Sequence, residues 1–194
     1  MKVSIAVECA SSPQWIAAVM NDFDAFLQDH ANCERKASAM AMSFVAKFPN
    51  RVEIIPELIE TAIEELEHFQ SVYEIMRRRG VLLPAQIGKD HYVQQLVDQC
   101  RSGREERFLD RLLLASIVEC RGAERFKLVY ENLDDKDLKA FYNQLWASEA
   151  KHGNIFVSMA LNYFDRNSVY NRLEELNLAE AKVLQSLPIR PALH

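Results

Sequence analysis

Glu65 and His68 stand three residues apart, and so do Glu149 and His152. On a helix, positions i and i+3 share a face one turn apart, so each pair can offer a carboxylate and an imidazole to one metal ion. Each pair also follows a glutamate at a similar distance. Glu34 stands 31 positions before Glu65, and Glu119 stands 30 before Glu149. Four glutamates and two histidines on facing helices make a site for two iron or two manganese ions. Carboxylate and imidazole suit Fe(II) and Mn(II), whereas a structural zinc site would use cysteine or more histidine. Glutamate can bridge two metals, and four carboxylates balance two divalent cations. The bland alternative is a pair of solvated i, i+3 contacts on helix surfaces; both spacings would then be accidental.

The elements that must position these groups are helical. Gly and Pro are scarce, at 5 and 6 of 194 residues, while good helix formers abound. Ser12-Pro13 starts a helical pattern that runs to about Lys47, with a break near Asn21-Asp22, where a second start can be capped. Phe48-Pro49-Asn50 is a turn. The next helix spans about 52–79, with Pro56 in its first turns and Gly80 as its C-terminal cap. Its Leu58, Ala62, Leu66, Phe69, Tyr73 and Met76 recur at helical spacing. Residues 81–103 form a long connection with a short helix from about Asp90 to Cys100. A third long helix spans about 104–130, and a tight turn at Asn132-Leu133-Asp134 leads to a fourth at about 135–164. A final helix follows Asn167-Ser168 and runs to about Ser186. This all-α order (helix hairpin, crossover, helix hairpin) is that of a ferritin-like four-helix bundle, with extra short helices and a C-terminal helix. It is read as a single domain over residues 1–194.

The third long helix offers two candidates for the sixth ligand. Glu34 lies about 13 residues before its turn and Glu65 a similar distance after it, so both are roughly 20 Å from the bend. In the second hairpin Glu149 is about 15 residues past the turn and Glu119 about 12 before it, whereas Glu124 would sit ~10 Å too low. Helix length therefore selects Glu119. A local likeness points the other way, since Cys33-Glu34-Arg35 resembles Ala123-Glu124-Arg125. If Glu119 is the ligand, Glu124 is free to pair with a surface arginine.

Composition bounds the partners. A net charge of −5 differs from that of a strongly basic nucleic-acid binder, although a local basic patch can still supply phosphate contacts. The longest apolar run, near Leu112–Val118, is too short for a membrane span, and the N-terminal stretch does not read as a signal peptide. Cys9, Cys33, Cys100 and Cys120 lack zinc-like or redox-like spacing and suit buried thiols in a reducing cytoplasm.

The words around the six ligands carry a resemblance. Asp29-His30-Ala31-Asn32-Cys33-Glu34-Arg35-Lys36-Ala37, Glu64-Glu65-Leu66-Glu67-His68-Phe69 and Arg77-Arg78-Arg79-Gly80 resemble the tRNA hydroxylase family called MiaE. So do Ile117-Val118-Glu119-Cys120-Arg121-Gly122-Ala123-Glu124-Arg125-Phe126 and Ser148-Glu149-Ala150-Lys151-His152. The resemblance spans nearly the whole chain, through Arg172-Leu173 and Glu180-Ala181. It implies O2-dependent hydroxylation of the isopentenyl group of 2-methylthio-N6-isopentenyladenosine, next to the anticodon in tRNA. It also implies a non-haem centre of two iron ions and an external supply of electrons from a reductase. The expected ligands are Glu34, Glu65, His68, Glu119, Glu149 and His152. The expected partner is the tRNA anticodon stem-loop, with no membrane and no DNA. Six ligands alone equally allow a ferritin- or rubrerythrin-like protein that oxidises iron or handles peroxide; rubredoxin-type cysteine pairs are absent from the sequence.

Arg77, Arg78, Arg79, Lys89, Arg101 and Arg104 are candidates for contacts to tRNA phosphates, against a plain role as solvated helix ends. His30, one turn before Glu34, reads as a group that supports the site or packs beside it. Phe69, Tyr73 and Phe126 read as core, as do Trp15 and Trp146, and His91 reads as a surface residue.

Overall fold

A computed structural model describes residues 6–86 and 88–194. Its described residues form seven α-helices and no strand. They are α1 (Pro13–Asn21), α2 (Phe23–Lys47), α3 (Ile55–Arg79), α4 (His91–Val97), α5 (Arg104–Asn132), α6 (Lys136–Leu161) and α7 (Arg166–Ser186). They divide into two compact units. Among the described residues, one is Ala17–Gly88 with Arg190–Leu193, and the other contains Lys89–Ile189 with residues 6–16 and His194.

The first unit is built on the α2–α3 hairpin. The Asp22 carboxylate accepts from Ala25 N at 3.1 Å, which separates α2 from α1 at the expected break. α3 starts at Ile55, later than the periodicity suggested, because residues 51–54 form a turn closed by Ile54 N donating to Arg51 O. Its end is Gly80, with φ at +72°, a left-handed conformation that glycine adopts without a Cβ penalty. Val81 N then donates to Met76 O at 2.9 Å, closing the last turn. Between the two helices the Ser38 hydroxyl donates to Ala62 O at 2.7 Å.

One expectation for α3 is corrected. Its buried positions are Leu58, Thr61, Ala62, Glu65, Val72, Ile75 and Met76. Leu66 and Tyr73 are exposed and Phe69 is half-buried. The helix is rotated so that the inward row passes through Glu65. Neighbouring positions lie about 100° apart, so facing Glu65 inward turns Leu66 out.

The second unit holds α4–α7. α5 and α6 are joined by only three residues, Leu133 to Asp135, and so pack as antiparallel neighbours. Asp135 caps α6 by accepting from Asp137 N and Leu138 N, both at 2.9 Å. α4 is shorter than expected, and Asp90 caps it through Val93 N at 3.0 Å. α7 packs on α5. Trp15 is buried as expected, but Trp146 is only half-buried and lies under Lys127 at 5.9 Å, so it is no core anchor.

Candidate metal centre

In the α2–α3 hairpin the helical period sets Glu34 and its neighbour His30 on one face of α2, and Glu65 with His68 on one face of α3. The nearest donor atoms of Glu34, Glu65 and His68 lie within 4.8 Å of one another. His68 Nδ1 is 3.3 Å from Glu65 Oε2 and 3.9 Å from Glu34 Oε2. His30 is fully buried, and its Nε2 stands 2.6 Å from Glu34 Oε1. His30 therefore supports Glu34 directly.

The α5–α6 hairpin repeats the arrangement. Donor atoms of Glu119, Glu149 and His152 also lie within 4.8 Å of one another, and all three residues are buried. His152 Nδ1 is 3.7 Å from Glu149 Oε2. Beside them, burial pushes the Cys120 thiol up to about 12, against partial relief from a Ser116 hydrogen bond and the Arg121 charge. Cys120 stays protonated at neutral pH and packs as an apolar group. All four cysteines are free, but only Cys33 and Cys120 are buried; Cys9 and Cys100 are half-buried.

Glu124 is engaged elsewhere in the same unit. It accepts from Ser11 N and Ser11 Oγ, both at 2.8 Å, and pairs with Arg121 Nη1 at 3.1 Å. Its arginine is not on the surface, as expected from the sequence, but fully buried. Arg121 donates through Nε and Nη2 to the two oxygens of Glu180, at 2.8 and 3.0 Å, and to Cys9 O at 2.8 Å. Burial opposes the Arg121 charge, but the Glu180 hydrogen bonds and charge outweigh it and hold its pKa above the ordinary value. Tyr92 adds its hydroxyl to Glu180 at 2.8 Å. Sequence reasoning missed this network. Its only local trace is an arginine two residues after Glu119, just past the apolar run of α5; the partner is 59 residues further on.

Each trio sets two carboxylates close together away from water. Mutual repulsion makes that arrangement costly unless a cation lies between them. A divalent cation per trio, held by two carboxylates and one imidazole, fits the donor set, and the set favours iron or manganese over a thiolate metal.

A family model described as tRNA-(MS[2]IO[6]A)-hydroxylase (MiaE) matches residues 1–194. The chain belongs to the MiaE family. A relative named tRNA 2-(methylsulfanyl)-N(6)-isopentenyladenosine(37) hydroxylase, from Pseudomonas putida, is 34% identical over 92% of this chain and 86% of its own length. One of the same name from Salmonella typhimurium is 30% identical over 56% of this chain and 39% of its own. A solved structure, titled Protein 43 with aldehyde deformylating oxygenase activity from Synechococcus, superposes with a TM-score of 0.91 at 33% identity. It covers 96% of this chain and 92% of that one. The fold is the all-α, ferritin-like one, and the MiaE family is one of tRNA hydroxylases.

The basic residues of this MiaE chain fall in different settings. Arg77, Arg78 and Arg79 are exposed at the end of α3. Arg77 pairs with Glu74 at 2.9 Å, and Arg79 pairs with Asp24 at 2.8 Å. In the other unit Lys89, Arg101 and Arg104 are exposed, and Arg101 is also tied to the buried Asp110 at 2.7 Å. His91 is exposed and Phe126 is buried, as expected.

Proposed function

We propose that this chain hydroxylates the isopentenyl group of 2-methylthio-N6-isopentenyladenosine beside the anticodon of tRNA. It would use O2 and a centre of two irons held by Glu34, Glu65, His68, Glu119, Glu149 and His152. The observation that carries the reading is the Glu/Glu/His trio in each hairpin, its carboxylates buried, in a chain from a tRNA hydroxylase family. Iron bound there supplies the redox chemistry that activates O2. One oxygen atom enters a C–H bond as hydroxyl and the other leaves as water, with two electrons and two protons supplied from outside by a reductase.

The protein's share is to hold, orient and shield. The carboxylates offset the metal charge, and His30 keeps Glu34 in one orientation. Cys120 fills space without competing for metal. No helix among the described residues is long and apolar enough to cross a membrane.

The test is a single turnover. Reduced, iron-loaded protein receives O2 and tRNA bearing the isopentenylated base, and the digested nucleosides are weighed. A gain of one oxygen atom, lost in Glu119→Ala and in His152→Ala, is the expected result. Iron that oxidises while the nucleoside stays unchanged would point instead to iron or peroxide handling. The Synechococcus protein motivates a second reading, and an aldehyde is offered in a parallel reaction. Conversion of aldehyde with no change in the nucleoside would move the assignment to that chemistry.

A further inference from the structure

Solvent reaches one member of the Glu34–Glu65–His68 trio. The His68 side chain is 17% exposed, against 4% for Glu34 and 1% for Glu65. The next residue, Phe69, is half-buried, and its ring stacks on Tyr73 with centroids 6.2 Å apart and planes 19° from parallel. Tyr73 is 40% exposed. One turn further stand Arg77 and Arg78, both exposed. Phe69, Tyr73 and Arg77 are spaced i, i+4, i+8 and so form one row about 12 Å long on the helix surface. The exposed Arg77–Glu74 pair contributes little and is readily exchanged for a phosphate. Arg78 has no hydrogen-bond or ion-pair partner among the described residues.

The charge along α3 reverses. Glu57, Glu60, Glu64 and Glu67 lie in its first half, and Arg77, Arg78 and Arg79 occupy its last turn. A polyanion is repelled from the first half and held at the last turn. Single-stranded RNA matches both parts of the row, because unpaired bases stack on aromatic rings while the backbone seeks arginine.

We infer that Phe69 and Tyr73 are the platform on which an unpaired base of the anticodon loop stacks beside His68, with Arg77 and Arg78 taking loop phosphates. The inference rests on the tRNA reading above and adds to it the place and polarity of docking. A second copy of the chain is the competing occupant. Ile59, Ile63 and Leu66 are 41%, 53% and 54% exposed at spacings that suit a helix partner. They lie in the acidic half, away from the arginines, so the aromatic end with its unpaired Arg78 favours RNA.

The experiment measures binding of an anticodon stem-loop RNA carrying the isopentenylated base, by fluorescence anisotropy over a salt series. The proteins are iron-loaded wild type, Tyr73→Ala, Tyr73→Phe and Arg78→Ala, each checked for iron content and for mass by light scattering. Tyr73→Ala is expected to weaken binding about tenfold or more, and Tyr73→Phe to restore it. Arg78→Ala is expected to lower the salt slope by about one, with iron content unchanged. If wild type binds and hydroxylates the RNA and both alanine variants match it in affinity and slope, the platform is refuted while the tRNA reading stands. If wild type neither binds nor hydroxylates it, both fall. A wild-type dimer that Tyr73→Ala splits, without loss of RNA affinity, would assign this face to a second copy and overturn the inference.

Discussion

The imidazole of His30 and the carboxylate of Glu34 stand 2.6 Å apart on one helix, four residues from each other, with His30 wholly out of water. A group so placed selects which way Glu34 presents its second oxygen. Groups that orient a metal ligand in this way typically contribute about 10- to 100-fold to metal affinity. His30→Ala is therefore expected to weaken Fe(II) binding by about that factor, and His30→Gln, which keeps a donor, to recover part of it. Anaerobic titration with Fe(II) measures both. Equal affinities in all three proteins would reduce His30 to a packing residue.

At the scale of elements, the close approach of α5 and α6 depends on Gly153, the residue after His152. Ser116 Oγ donates to Gly153 O at 2.7 Å. A Cβ at this position would come within 2.5 Å of Cys120 Sγ and 3.3 Å of Ser116 O. Alanine gains about 1 kcal/mol of helix propensity over glycine, whereas overpacking costs about 1–3 kcal/mol. Gly153→Ala is expected to lower the melting temperature by a few degrees, at roughly 2–4 °C per kcal/mol for a chain of this size. Adding Cys120→Ala removes the nearer obstacle, so the double variant is expected to melt above Gly153→Ala. A single variant as stable as wild type would show that the helices part without cost.

For the molecule as a whole, the crossover needs an anchor, and Asp110 supplies one inside the α4–α7 unit. It accepts from Arg101 N at 2.8 Å, from Arg101 Nη2 at 2.7 Å and from Arg172 Nε at 2.9 Å. Arg172 also donates to Gln99 O at 2.9 Å, so connection, α5 and α7 meet at one carboxylate. Burial alone would raise the Asp110 pKa, but hydrogen bonds from Arg172 and Arg101 outweigh it and hold the carboxyl below its ordinary range. A folded pKa below the unfolded one contributes stability that is present above pH ~4 and is lost as pH falls through the folded value. Asp110→Asn is expected to cost about 2–4 kcal/mol at pH 7 and to flatten the loss of stability below pH ~4. Urea unfolding of both proteins at several pH values checks it; parallel profiles would deny Asp110 that role.

The local geometry was legible in the residues themselves. Two Glu-x-x-His words, the glutamates upstream of them and the punctuation at Asp22, Gly80, Asp90 and Asp135 depend only on the 3.6-residue period and on capping, which act within a few positions. Helix length likewise separated Glu119 from Glu124, and the structure sets Glu119 with Glu149 and His152 while Glu124 meets Ser11. What neighbouring residues could not decide was how far each helix is turned about its own axis. That rotation sent Leu66 and Tyr73 to the surface and Glu65 inside, left Trp146 half-buried, and brought Arg121 to Glu180. A difference of one position, about 100°, exchanges core for solvent, and only the packing of elements distant in the chain selects between them.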